Sequence, residues 1–196
     1  MKRPYIIIAF AVTCVLILIG YAFLRNAPKE FRSSFKPNVQ LEMASLAFLN
    51  DTAIPVAYSC DAVAPVSPPL IFSGVPEDAV SLALIMEDVD VPTTLDADGI
   101  FEHWALFNMP ASTTELSAGA SLGLKGANGK GAWTYAAPCP PTDSEPAEHR
   151  YFFRLFALDS NLELPAGATV AQIRTAMDGH VLGTTELVGR YQRQAR

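Results

Sequence analysis

The chain has 196 residues, with 14 Lys+Arg against 20 Asp+Glu and a formal net charge of −6 at pH 7. That length accommodates one ordinary domain with a sizeable core. Residues 31–196 hold 10 basic and 19 acidic side chains, a net charge of about −9 without a basic stripe, which argues against nucleic acid as a partner and offers anionic lipid no polybasic face.

The first predicted element is apolar. Tyr5 to Leu24 runs 20 residues without a charge, preceded by Lys2 and Arg3. As a helix it would rise about 30 Å, enough to cross a bilayer's hydrocarbon core. It reads as a signal anchor, giving a single-pass protein of the cell membrane with an exported domain. The competing reading is a cleaved signal peptide, with Gly20-Tyr21-Ala22 supplying small residues before the cut and a secreted or periplasmic product. Residues 25–40, with two prolines and no periodicity, read as a linker. Residues 41–196 form the folded domain.

From Leu41 the chain becomes short runs of aliphatic and aromatic residues, most of them bounded by turn formers. Strands are predicted at Leu41–Leu49, Pro69–Phe72, Ser81–Glu87, His103–Asn108, Trp133–Ala136 and Tyr151–Leu158. One helix is expected late, with Thr169 as N-cap, Val170, Ile173, Ala176 and Met177 at helical spacing, and Gly179 as the stop. Glu186–Arg193 fits a strand or a helix. The fold class is mostly β with minor helix.

Four short blocks carry the polar chemistry. Asp88 and Asp90 end a continuous apolar run, Leu82 to Met86, and Pro92 stiffens the exit. Taken alone they read as solvated strand-end acids. Asp96-Ala97-Asp98-Gly99 is a calcium-loop fragment without the full ligand series or its bidentate Glu, so a solvated acidic loop is the better account. In Phe101–Met109, strict alternation places His103 on one face with Phe101, Ala105 and Phe107. A histidine there can be a bonded core residue or a pocket residue, and the nearby acids favour a pocket. Pro138-Cys139-Pro140-Pro141 lacks three N–H groups and so forms a rigid loop. His149 and Tyr151 share a face of the following strand, while Arg150 points away, free to pair with a loop carboxylate.

Three motifs lack their context. Gly119-Ala120-Ser121-Leu122-Gly123 matches a nucleophile elbow but no helix follows it, so hydrolase activity is not expected. Gly129-Lys130-Gly131 has neither the Ser/Thr nor the earlier Gly of a phosphate loop. Three scattered histidines do not have the spacing of a metal site. Cys14 belongs to the apolar segment, leaving Cys60 and Cys139 as an even pair. In an exported protein they could form a disulfide; the alternative is two buried thiols.

In order and spacing these blocks resemble the phosphatidylethanolamine-binding protein family, in its bacterial Raf-kinase-inhibitor-like branch. The landmarks are Pro55 to Asp61, Ser67-Pro68-Pro69-Leu70, Asp88 to Pro92, His103-Trp104 with Asn108-Met109-Pro110, Tyr135 to Pro141, His149-Arg150-Tyr151, Gly179-His180-Val181-Leu182 and Leu187 to Tyr191. The resemblance implies a β-sandwich-like fold with a small anion pocket at one end. It implies pocket roles for Asp88, Phe101, His103, Pro140, Pro141, His149 and Tyr151. The implied ligands are phosphate-like anions or phospholipid headgroups, with no cofactor and no catalysis. Imidazoles and backbone N–H groups suit the phosphate, and a carboxylate suits the ammonium. The family also includes kinase and protease inhibitors, so the alternative function is a protein-interaction module or inhibitor acting through the pocket rim. Here the family's Asp-Pro-Asp-Ala-Pro reads Asp-Val-Asp-Val-Pro, and its Gly-Gly before Pro-Cys-Pro-Pro is Ala136-Ala137.

Overall fold

Ser81–Asp88 (β4) is buried along all eight residues, as its unbroken apolar run requires. A strand buried on both faces needs a layer on each side, and that demand organises the domain. The computed structural model describes residues 40–143 and 145–193. Glu42–Ser45 (β1), Thr52–Ala53 (β2), Leu70–Ser73 (β3), β4, Phe101–Pro110 (β5), Glu115–Leu116 (β6), Leu124–Lys125 (β7), His149–Leu158 (β8) and Val181–Tyr191 (β9) are the strands. Val170–Met177 (α1) is the α-helix among the described residues.

The strands form two sheets, one of three strands ordered β1-β3-β6 and one of six ordered β2-β9-β8-β4-β5-β7. Leu82, Leu84 and Met86 project toward the small sheet and pack with its Leu70, Phe72 and Leu116 in one core cluster. Ala83 and Ile85 project the other way, into a second cluster with Val170, Ile173 and Met177 of α1. The predicted helix is present with its N-cap: Thr169 Oγ1 accepts from Gln172 N–H, and the Gln172 side chain accepts from Thr169 N–H. Two arginines fasten this layer. Arg174 of α1 donates to Glu87 at 2.7 Å, and Arg154 of β8 pairs with the same buried carboxyl.

Val181–Tyr191 is a strand, which settles the open reading at Glu186–Arg193; the structure described ends at residue 193. Trp133–Ala136 is not a strand, contrary to its composition. Its backbone meets β5 through a single bond, Ala136 N–H to His103 O at 2.8 Å. Trp133 instead packs against Gly167, where a Cβ would lie 2.2 Å from the indole ring.

The expected single-pass placement in a membrane is corrected here. Among the described residues no helix is long and apolar enough to cross a bilayer, and residues 5–24, which carried that expectation, lie outside them.

Candidate functional site

The site forms where β4, β5 and β8 end together. Their register sets Asp88 between Phe101 on one side and Tyr151 on the other. A bulge in β5 then decides what His103 does. Met86 faces Trp104 and Glu87 faces Glu102, so His103 is the extra residue between them. Strict alternation therefore fails at this point. Ala105 and Phe107 go to the helix side, whereas His103 meets Phe101 (ring centroids 4.8 Å apart) and Tyr151 (5.2 Å), which belongs to the inter-sheet cluster. Re-aiming a side chain in this way is a common use of bulges beside functional sites.

A cavity of about 350 Å³ opens at these strand ends. Its lining includes Asp88, Phe101, His103, Pro140, Pro141 and His149, so six of the seven residues expected from the sequence come together. Tyr151 is the exception. It is fully buried behind His103, does not line the cavity, and its hydroxyl has no hydrogen-bond partner among the described residues. Burial, helped by the nearby Asp88 carboxyl, pushes its phenol far above the ordinary range.

The polar groups are locally oriented. Asp88 accepts from buried His149 Nδ1 at 2.8 Å and from the N–H of half-buried Asp90, just past the strand end, at 3.0 Å. His103 Nδ1 bonds to the Ala136 carbonyl oxygen at 2.7 Å. Ala136 thus grips His103 twice, through its N–H and its carbonyl. Arg150, which points away from the cavity, forms a two-pronged pair with Asp90 at 2.7 and 2.9 Å. That pair lowers the Asp90 carboxyl below its usual range and fixes the β4 exit.

Burial holds the His103 imidazole below the ordinary histidine value near 6.5, outweighing the Ala136 bond and the Asp88 carboxyl, which favour its protonated form. The groups around it are Phe101, Asp88, His149, Tyr151 and the Lys130 side chain, the last also disfavouring the cation. A depressed pKa means that the unfolded chain takes up this proton first. The stability contributed by neutral His103 is present in full above pH 6.5 and is lost as pH falls through the lower folded value. In an NMR titration the His103 ring signals should move with a midpoint below 6.5; a midpoint at or above 6.5 contradicts this account.

The loop walls come from two segments, the stiff exit after β4 that reads as a rim and a Gly-Lys turn that the motif reading did not assign to the pocket. Val91, Pro92, Leu95 and Asp96 follow β4, and Gly129 and Lys130 lie in the loop after β7. Gly129 is needed for close packing, since a Cβ there would sit 2.6 Å from the Phe101 ring. The opposite wall is tied down covalently. Cys60 and Cys139 form a disulfide with Cα atoms 5.4 Å apart, and Cys60 N–H donates to Pro138 O at 3.0 Å.

Residues 44–192 match the family model for phosphatidylethanolamine-binding proteins. The chain belongs to the phosphatidylethanolamine-binding protein family. Among its relatives, a UPF0098 protein of Chlamydia trachomatis is 42% identical over 154 residues, covering 78% of this chain and 99% of its own length. A UPF0098 protein of Methanothermobacter thermautotrophicus is 39% identical over 160 residues, with coverage of 78% and 99%. The crystal structure of a phosphatidylethanolamine-binding protein homologue from C. trachomatis superposes with a TM-score of 0.75 at 42% identity, covering 80% of this chain and 99% of that one. That of Escherichia coli YbcL, at 23% identity and a TM-score of 0.69 over 79% and 99%, shares the fold.

Within the family pattern, the departures are accommodated. Ala136 and Ala137 are not among the residues with positive φ, so this stretch of the cavity wall is built without the left-handed backbone that only glycine adopts readily. Val91, in place of the smaller alanine, lines the cavity. Lys130 is the cavity-lining lysine that the motif reading did not place there. Its only sequence signal was a Gly-Lys-Gly turn, and nothing local says that this turn reaches the ends of β4 and β8.

Proposed function

We propose that this chain is a non-enzymatic binding protein whose cavity holds a phosphate-like anion, with phosphoethanolamine the fuller match. The observation that carries the reading is the lining itself. One lysine, two imidazoles and two carboxylates, Asp88 and Asp96, share a small cavity walled by Phe101, Pro140 and Pro141. The cationic and imidazole groups suit phosphate oxygens, the carboxylates suit an ammonium, and stiff walls cost little entropy on binding. The family's description as phosphatidylethanolamine-binding points in the same direction.

Titration with inorganic phosphate or phosphoethanolamine should shift the NMR signals of His103 and His149, and His103→Ala should abolish the response. No shift at millimolar ligand overturns the proposal. A second reading rests on Leu95, which lines the cavity yet stays 69% exposed at its mouth. It suits a protein-interaction module or inhibitor docking through the rim. Partner capture that survives His103→Ala but not Leu95→Asp would select it.

A further inference from the structure

We infer that this chain carries a second binding site, separate from the strand-end cavity, that takes a small carboxylate. The site is a cavity of about 240 Å³ whose lining includes Ser67, Trp104, Ser121, Lys125, Thr134 and Tyr135. The two cavities share no lining residue. Chain neighbours divide between them: His103 and Ala136 line the first, Trp104 and Tyr135 the second.

Two nearly buried donors carry the argument. Past the bulge in β5, Trp104 faces Met86 and joins the core between the sheets, its ring set edge to face against Tyr135 at 5.7 Å. Trp104 is only 4% exposed. An indole N–H can donate but never accept, and a buried one ordinarily has an acceptor. Trp104 Nε1 has no hydrogen-bond partner among the described residues, yet it is not sealed off. Ser67 is alike, 3% exposed, with a hydroxyl neither bonded among those residues nor sealed off. Both residues line this cavity, which is the space their donors are left to face. The Tyr135 hydroxyl is already used, donating to Tyr58 O at 2.7 Å, so that ring serves as a wall.

Charge then selects the ligand. Lys125 is the charged residue of this lining and forms no ion pair among the described residues. No carboxylate lines the cavity to meet a cationic ligand. A carboxylate brings one negative charge for one lysine and two acceptor oxygens for the indole N–H and the Ser67 hydroxyl. A dianionic phosphate would bring a second charge that this lining does not balance. A sugar needs an open aromatic face to stack on, and a Trp this deeply buried offers none.

Propionate and its neutral amide, propionamide, test the site by NMR of the isotope-labelled protein. The chain has two tryptophans, so Trp133→Phe assigns the Trp104 indole signal. Millimolar propionate should move that indole proton downfield, and propionamide should bind at least about tenfold more weakly, the usual scale for one charge-assisted hydrogen bond. Lys125→Met should weaken propionate by about tenfold. Lys125 is exposed and is held in β7 by its backbone, so the variant should keep the fold, which near-UV circular dichroism verifies. Ser67→Ala, which removes the hydroxyl and little volume, should weaken propionate as well. N-acetylalanine stands in for a peptide's carboxyl end: binding tighter than propionate supports the site with a chain terminus as its ligand, and the reverse order supports it with a free acid. An indole signal that no probe moves means that water alone serves these donors, and overturns the inference. Equal binding of propionate and propionamide, or unchanged binding in both variants, overturns it too.

Discussion

Replacing Cys60 and Cys139 together by alanine should lower the unfolding free energy by roughly 3–5 kcal/mol, the range expected when a long loop is no longer closed in the denatured chain. The bond joins residues 79 positions apart, so the unfolded ensemble gains much conformational freedom on its loss. Alanine is the right replacement because it adds no polar group beside the cavity wall. In the native state the segment holding Cys60 keeps other anchors. Tyr191 Oη donates to Asp61 at 2.6 Å and accepts from buried Ser59 at 2.7 Å, linking this segment to β9. The native fold should therefore survive, with the effect appearing as a lower urea midpoint and a melting point reduced by on the order of 10 °C. A loss below about 1 kcal/mol would show that the loop stays closed in the denatured chain without the bond.

Asp88→Ala should cost about 3 kcal/mol and also impair the cavity, because it removes the acceptor for two donors in a buried setting. His149 Nδ1 loses its carboxyl partner where water barely reaches, and the half-buried Asp90 N–H loses its cap. Asp88→Asn keeps the shape and one acceptor oxygen, so its loss should be closer to about 1 kcal/mol. The ordering is the informative part. If the two variants unfold at the same urea concentration, shape at this position governs stability and the hydrogen bonds do not. In ligand titrations both variants should lose affinity for phosphoethanolamine more than for inorganic phosphate, since the ammonium loses a carboxylate.

Much of the architecture was legible locally. The run from Leu82 to Met86 reads as a buried strand because burial on both faces removes the need for alternation, and it is the centre of the large sheet. Thr169 with Gln172 three residues on, followed by Val170, Ile173 and Met177, specifies α1 through capping and a one-sided apolar stripe. The site motifs were legible as types, too. Asp88, His103, His149 and the Pro-Cys-Pro-Pro loop are chemistry that a packed interior rarely uses without a reason.

Other features had no local signal. Trp133–Ala136 has a strand's composition, but a strand requires a partner backbone, and β5 offers this segment only one bond. The short β2, β6 and β7 are made by pairing with distant chain and carry no periodicity of their own.

Residue type, apolar period and capping chemistry are local, and they suffice to say that this chain makes a β domain with one capped helix and a set of polar residues beside stiff prolines. Direction and proximity are not local. The bulge that turns His103 toward Tyr151, the bond that orients its ring, the Cys60–Cys139 bridge and the arrival of Lys130 at the cavity all depend on register between strands far apart in sequence. A one-residue change in register sends a side chain to the opposite face. The chemistry available at these strand ends is thus written in the residues, and the direction in which each group points is set by how the strands meet.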